Sequence, residues 1–360
     1  MCGILGIWDK NATDRKLLEK LTDLLSHRGP DARGFYQHEA WCLAHVRLSI
    51  IDLKTGAQPM FTRDKKLGIV FNGEIYNFRE LRDELGKLGE VFDTQSDTEV
   101  LLYGYRQWGT RLFQKLNGIF AFILADFEKQ EWILVRDHFG VKPLHYYQQN
   151  GLFIAASEQK AILAHPQVTR NVNWQVFHDV LNHRYSPGNE TLFAGIHRFP
   201  PAHFAILKTG KLTLHRYWKP HYDINPKMDE TSAIEGFHFH LKQAIQRQLV
   251  SDVPLGVYLS GGMDSSAIVQ KMHELNVSRI ETFTLGFNEP TDEFPDAELV
   301  ARHFGANHHT LNLTMEPLQT FPETIWYAEE PKINLLQGFN MSAFVKPHVT
   351  VALGGLGGDE

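Results

Sequence analysis

The chain has 360 residues, 43% of them apolar and 22% charged, and a net charge of −6 at neutral pH. That length allows two hydrophobic cores, since one core seldom serves more than about 250–300 residues, and the acidic balance offers no basic stripe for a nucleic acid. No apolar run reaches the ~18 residues of a membrane span, and Asp9, Lys10 and Asn11 interrupt the start as a signal peptide.

Cys2–Trp8 predicts a short apolar strand, followed by a helix with Leu17, Leu18, Leu21, Leu24 and Leu25 on one face. Strands are predicted at Trp41–Val46, Leu67–Phe71, Gly118–Asp126, Trp132–Val135 and Leu152–Ala156. Asn77 is placed as the N-cap of a helix carrying Leu81, Leu85 and Leu88. Many short strands with few crossover helices predict stacked antiparallel sheets, an α+β domain over 2–217. The pair His203–Leu207 and Leu212–Tyr217 closes it. Residues 218–230, rich in Pro, Asp, Lys and Asn, read as a linker. From 231 to 360 the texture changes. A helix with Ile234, Phe237, Leu241, Ile245 and Leu249 on one stripe comes first. Apolar strands at Gly256–Leu259, Thr282–Phe287, His309–Leu313 and Val349–Leu353 then alternate with helices, as an α/β parallel sheet requires.

Only Cys2 and Cys42 are present, too few for a disulfide framework and without zinc spacing, so a cytoplasmic protein is expected. The 19 histidines are scattered, and His308-His309 reads as strand rather than metal ligand. Cys42 alternates within a strand and reads as core. A cysteine at position 2 differs in chemistry. Removal of Met1 would expose an α-amine of pKa ~7.7–8.0 beside the thiol, putting nucleophile and base on one residue. Taken alone, Cys2 is more readily a small buried strand residue. Its companions decide otherwise.

Cys2-Gly3-Ile4, His27-Arg28-Gly29-Pro30-Asp31, His45 to Asp52, Asn72-Gly73-Glu74-Ile75-Tyr76-Asn77 and Ser96-Asp97-Thr98-Glu99 occur in order. Arg136-Asp137, Gly140-Val141-Lys142-Pro143 and Ser157-Glu158 follow. In these segments the first half resembles the class II glutamine amidotransferases of the N-terminal-nucleophile type, most closely the asparagine synthetase branch. The resemblance implies thiolate attack by Cys2 on glutamine, with the Asn72 amide and the Gly73 N–H donating to the oxyanion. It implies that Arg47 holds the glutamine α-carboxylate, Asp97 faces the α-ammonium, and Leu48, Ser49, Ile50, Ile51 and Glu74 line the pocket.

In the second half Ser260-Gly261-Gly262-Met263-Asp264-Ser265-Ser266 follows a strand and opens an apolar helix. A Gly-rich turn there presents free N–H groups to a phosphate. The Walker A ending Gly-Lys-Ser/Thr is missing, which argues against ordinary γ-phosphate transfer. The segment resembles the loop of ATP pyrophosphatases, which cleave between the α- and β-phosphates. By that resemblance Ser260, Gly261, Gly262, Asp264, Ser265 and Ser266 hold ATP phosphates, Leu259 and Leu285 contact the nucleoside, and Gly354 and Gly355 add a further ATP contact. Asp264 and Asp359 are the expected Mg²⁺ or pyrophosphate carboxylates.

Together the halves imply glutamine-dependent asparagine synthesis. Ammonia is released at Cys2, an aspartate carboxylate is adenylated with ATP and Mg²⁺, and ammonia displaces AMP. The implied partners are glutamine and aspartate or another carboxylate; a homodimer is left open, and neither nucleic acid nor membrane is expected. Two departures qualify the acceptor: Leu356 stands where the family has an acidic residue, and Gly354 where serine is common. An amide ligase for another carboxylate such as a sugar acid, or a glutaminase with no synthetic role, are the alternatives. The chain stops at Gly357-Gly358-Asp359-Glu360, inside a loop motif, and is expected to be C-terminally truncated.

Overall fold

The segment GILGIWD is apolar at nearly every position, which suits a strand buried on both faces, and Gly3–Asp9 lies in the interior of a six-stranded antiparallel sheet. The structure is a computed structural model that describes residues 1–314, 317–330 and 334–358. It divides into two units, Met1–His221 and Tyr222–Glu360.

In the first unit the sheet containing Gly3–Asp9 runs Ile196–Arg198, His145–Gln149, Leu152–Ala156, Gly3–Asp9, Trp41–Arg47, Ala32–His38. A second antiparallel sheet runs Lys211–Arg216, His203–Lys208, Glu131–Arg136, Gly118–Asp126, Leu67–Ile75, Met60–Phe61. The period of two divides the side chains between two cores. Ile4, Leu43 and Phe153 of the first sheet meet Val70, Ile123, Trp132 and Leu134 of the second. Leu5, Ile7 and Ala44 turn to the other side, against Leu18 and Leu21 of the helix Arg15–Asp23. Trp132 is fully buried, and the contact requires a glycine opposite: a Cβ on Gly6 would lie 2.7 Å from the Trp132 ring. Burial of such side chains, at ~1.5–3 kcal/mol each, holds the two sheets together. The same alternation brings Cys2, two before Ile4, and Asn72, two after Val70, to the inter-sheet side.

Several strands not expected from sequence complete these sheets. Ala32–His38 is exposed or half-buried along its length, so it carries little apolar signal. Ile196–Arg198 and Met60–Phe61 are only three and two residues long. The expected helix over Leu17–Leu25 ends at Asp23; Leu24 is its C-cap, and Leu25 precedes a short 3₁₀ turn. Asn77 precedes the helix Phe78–Lys87 but makes no cap bond; its side chain donates to the Lys115 carbonyl and accepts from the Asn117 N–H.

The second unit contains four parallel strands in the order Asn307–Asn312, Glu281–Gly286, Leu255–Tyr258, Val351–Leu353. Helices Met263–Glu274 and Phe294–His303 pack on one face through Ile268, Val269, Met272, Ala297 and Ala301. Val345 of the helix Leu335–Val345 packs with Phe283 and Val349 in a separate core. The helix Glu230–Gln248 joins the first of these cores through Leu241 and Ile245 only at its C-terminal half. Ile234 and Phe237, expected on the same buried stripe, are exposed. Among the described residues no helix is long and apolar enough to cross a membrane.

Candidate active sites

The strand Trp41–Arg47 delivers Arg47 and Leu48 to the start of the chain. Cys2 lies just outside its strand and is held from two sides. The Leu48 N–H donates to its Sγ at 3.4 Å, and Arg28 Nε donates to its carbonyl at 2.9 Å. Arg28 is fixed in turn by Glu158, 2.7 Å from its Nη1, which also accepts from His27 and Lys160. Burial opposes a charge on Glu158, yet these three donors and cations hold its carboxyl down at about 2.

Cys2, Arg47, Leu48, Ile50, Ile51, Asn72, Gly73, Glu74 and Asp97 line one cavity of about 40 Å³. Met1 lines it too, so removal of that residue enlarges the space beside the thiol. Asn72 is nearly fully buried, and its Nδ2 has no hydrogen-bond partner among the described residues. A buried amide donor left unpaired costs roughly 1–3 kcal/mol, a cost relieved by an oxyanion bound beside Cys2. Gly73 follows where no side chain fits: a Cβ there would stand 2.2 Å from the Ile119 carbonyl oxygen.

Two residues differ from their expected placement. Ser49 does not line the cavity; its N–H donates to Asp31 at 2.7 Å, which ties the loop to the His27–Asp31 motif. Arg47 lines the cavity but directs Nη2 to the carbonyls of Asp52 at 2.6 Å and Ile51 at 3.2 Å, shaping the 48–56 loop. Gly56 makes this possible, because a Cβ would lie 2.4 Å from Nη2. Gln58 was not singled out from sequence. It accepts from the Phe71 N–H at 2.6 Å and donates to Thr98 Oγ1 at 3.3 Å, bridging strand and helix beside the cavity. Lys142, of the Gly140-Val141-Lys142-Pro143 segment, lines the same wall.

Burial pushes the Cys2 thiol up, opposed by the Leu48 N–H, the terminal amine, Lys142 and Arg47. Burial also lowers the Met1 amine to about 5. Asp97, fully enclosed and near Glu74, is pushed up to about 7 although the Ile75 N–H donates to it at 3.0 Å. His45 and His145, both enclosed, are held neutral by burial, with pKa values of about 4 and about 3.

These shifts set the acid response of the fold. An unfolded histidine titrates near ~6.5. Below that pH the unfolded chain binds protons that His45 and His145 refuse, and each removes about 3 kcal/mol of stability by pH 4. Asp97 runs the other way: its raised pKa destabilises the fold at neutral pH, and about 4 kcal/mol returns as pH falls from 7 to its unfolded value. Urea unfolding at pH 7 and pH 4 should therefore show a net loss, the two histidines outweighing Asp97 by about 2–3 kcal/mol and the lowered Glu158 carboxyl and terminal amine adding to it. Asp97→Asn removes the offset and makes the loss larger; an equal or smaller loss in that variant contradicts the assignment.

In the second unit the strand Leu255–Tyr258 runs into Ser260–Gly262 and the helix Met263–Glu274. Gly261 has φ +79, and a Cβ there would lie 2.6 Å from Asp296 Cβ, so the turn needs glycine twice over. Ser265 Oγ accepts from the Ser260 N–H at 3.2 Å and lies 3.0 Å from Ser260 Oγ, closing the loop on itself. Leu259, Ser260, Gly262, Asp264, Ser265, Leu285 and Gly355 line a cavity of about 580 Å³ at the C-terminal ends of the central strands, with Tyr258, Glu293, Met341 and Leu356. Such a crevice is where open parallel sheets bind ligands. Gly261, Ser266 and Gly354 are not on its wall. Ser266 Oγ is buried without a partner among the described residues. Asp359 lies outside the described residues. Asp264 and Glu293 both line this cavity, a carboxylate set of the sparse kind that suits Mg²⁺ held jointly with phosphates. Three or more metal-binding side chains do not cluster anywhere among the described residues. His309 is bonded to Glu281 at 2.7 Å, and His308 Nδ1 lies 2.9 Å from Thr282 Oγ1.

Residues 1–218 match the family model for the glutamine amidotransferase domain, and residues 237–360 match that for asparagine synthase. Asparagine synthetase [glutamine-hydrolyzing] 1 of Bacillus subtilis (strain 168) is 33% identical over 372 residues, covering all of this chain and 58% of the relative. A putative asparagine synthetase [glutamine-hydrolyzing] 2 of Methanocaldococcus jannaschii is 32% identical, covering all of this chain and 75% of the relative. Amidase chyE of Penicillium rubens is 32% identical over 89% of this chain and 51% of the relative. The chain thus spans little more than half the length of some of the curated relatives it matches. With Cys2 and the unpaired Asn72 amide on one wall and the Ser260–Ser266 loop at the end of a parallel sheet, the chain belongs to the glutamine-hydrolysing asparagine synthetase family, as a glutamine amidotransferase domain followed by an asparagine synthase segment.

Proposed function

We propose that the first unit hydrolyses glutamine and the second activates a carboxylate with ATP for amidation, aspartate being the acceptor. The observation that carries the glutaminase reading is the orphaned Asn72 Nδ2 in the cavity that holds Cys2. After removal of Met1, the α-amine of Cys2 takes the thiol proton, and the thiolate adds to the glutamine carboxamide carbon. The electron pair moves onto oxygen, where Asn72 and the Gly73 N–H receive it. Collapse expels ammonia with the proton held on the amine, and water hydrolyses the thioester to glutamate. Asp97 and Glu74 supply negative charge for the α-ammonium. Arg47 shapes the 48–56 wall and presents its remaining N–H groups to the α-carboxylate.

In the second unit the Ser260–Ser266 loop and the N-terminus of the Met263–Glu274 helix receive the ATP phosphates. Mg²⁺, held by Asp264 and Glu293 with the phosphates, would neutralise charge on the departing pyrophosphate. A carboxylate oxygen attacks the α-phosphorus, pyrophosphate leaves, and ammonia then displaces AMP from the acyl carbon. A second acceptor has its own support. Leu356 presents hydrocarbon to this cavity, and one relative is named an amidase rather than an asparagine synthetase. The free thiols of Cys2 and Cys42 suit a reducing cytoplasm.

Incubating the full-length protein with glutamine, and separately with ATP, Mg²⁺, ammonia and a panel of carboxylates, tests both halves. Glutamate release equal to ammonia release is expected in the first, and AMP formation with aspartate in the second. Absence of glutamate release refutes the first half; AMP formation with another carboxylate alone replaces aspartate.

A further inference from the structure

The wall of the glutaminase cavity carries a cation to which the mechanism above gives no task. Lys142 is buried, and its Nζ makes no hydrogen bond or ion pair among the described residues. Its backbone is locked from both sides. The Lys142 N–H donates to Asp137 at 3.0 Å, and the Lys142 carbonyl accepts from Arg136 Nε at 2.8 Å. Asp137 also accepts from the N–H groups of Phe120, Phe139 and Val141, so one buried carboxylate organises the whole turn. Arg136 further donates to the Gly140 carbonyl at 2.7 Å. Such fixing is more than a surface lysine needs, and it directs a long side chain onto the wall shared with Cys2.

The other cations near this cavity are already engaged. Arg28 is paired with Glu158, and Arg47 donates to carbonyls of its own loop. An ammonium taken from water without a carboxylate against it is costly, and the cost falls when negative charge forms nearby. Of the acidic groups on the wall, Asp97 is itself pushed up to about 7, whereas the Glu74 carboxylate and the Cys2 thiolate both act on Lys142 and can supply that charge.

We propose that the Lys142 ammonium stabilises the thiolate of Cys2, and with it the negative charge that passes to the carboxamide oxygen during attack. Burial lowers the Lys142 pKa and Arg28 adds to that, while Glu74, Cys2 and Asp137 oppose it, so the charged form is kept by the negative groups it faces. No proton leaves the ammonium during attack: the C–S bond forms, the carbonyl π pair moves to oxygen, and the α-amine remains the base. Lys142 therefore acts as an electrostatic residue rather than a proton donor. The charged and titratable groups around it are Glu74, Arg28, Cys2, Asp137 and the terminal amine, with Arg47 and Asp97 on the same cavity wall. Its charge opposes the upward pressure of burial on both the thiol and Glu74. This inference rests on the glutaminase reading for its purpose but not for its test.

The test is the pH dependence of iodoacetamide alkylation at Cys2, located by peptide mass spectrometry, which requires no glutamine. Cys42 is fully buried, and its thiol is pushed up to about 11, so it does not compete near neutral pH. Lys142→Met should raise the apparent thiol pKa by about one unit and slow alkylation at pH 7 by about tenfold. Lys142→Arg should keep the wild-type value, because it keeps the charge. If Lys142→Met does not fold by circular dichroism, Lys142→Gln takes its place. A thiol pKa within about 0.2 unit of wild type in the folded neutral variant overturns the proposal, and assigns Lys142 to Glu74 instead. A wild-type chain that shows the thiol shift but no glutamine hydrolysis refutes the glutaminase reading alone.

Discussion

Cys2→Ala should reduce glutamine hydrolysis by at least about 10³-fold while leaving ATP affinity in the second unit unchanged. The size of the effect follows from what is removed. Sγ is the thiol on the cavity wall that also carries the unpaired Asn72 amide, and alanine leaves the binding groups without the thiolate that attacks the carboxamide. Fold and binding should survive. Cys2 lies outside the strand ladder, which begins at Gly3, and its carbonyl contact with Arg28 is a backbone contact that alanine keeps. Glutamate release and isothermal titration with ATP are the two measurements. Residual hydrolysis within tenfold of wild type would remove Cys2 from the nucleophile role.

Asp264→Asn should weaken MgATP binding by roughly 30–150-fold, the equivalent of about 2–3 kcal/mol for a lost charge-assisted contact, with glutamine hydrolysis unchanged. Magnitude separates the two roles open to this residue. Asp264 lies in the first turn of the Met263–Glu274 helix, where a carboxylate stabilises the positive helix end by only ~0.3–1 kcal/mol. A change smaller than about sixfold would make it a helix-end charge and no more. The surrounding loop favours the larger role. Cβ atoms on Gly355 and Gly358 would stand 2.9 Å from Asp264 Cβ and 2.4 Å from Oδ2, so the 355–358 segment passes directly over the carboxylate. ATP titration with and without Mg²⁺ distinguishes the outcomes, because a metal-holding carboxylate matters mainly in its presence.

Much of this was legible in the chain itself because the relevant signals are local. Strong apolar runs such as Gly118–Asp126 and Trp132–Val135 encode buried strands wherever they occur, and both lie where expected. The Ser260–Ser266 turn is readable since strand, glycines and helix are contiguous. Short or exposed strands were not legible. Ala32–His38 and Ile196–Arg198 exist because neighbours offer backbone partners, and nothing in their own alternation demands it. The half-exposed stripe of Glu230–Gln248 shows the reverse case: the helical period was correct, but only packing decides which turns of it are covered.

Within the candidate sites, sequence determined which residue types are present and their order: a thiol at position 2, an Asn-Gly pair, and a glycine turn before a helix. Tertiary structure decided their roles. It turned Arg47 toward the carbonyls of its own loop, moved Ser49 off the wall, left Asn72 Nδ2 unpaired and brought Lys142 to Cys2 across 140 residues of chain. The physical reason is that hydrogen bonding and burial depend on distance in space. A motif fixes a side chain's chemistry, whereas the desolvation and partners that tune this chemistry come from strands far apart in sequence.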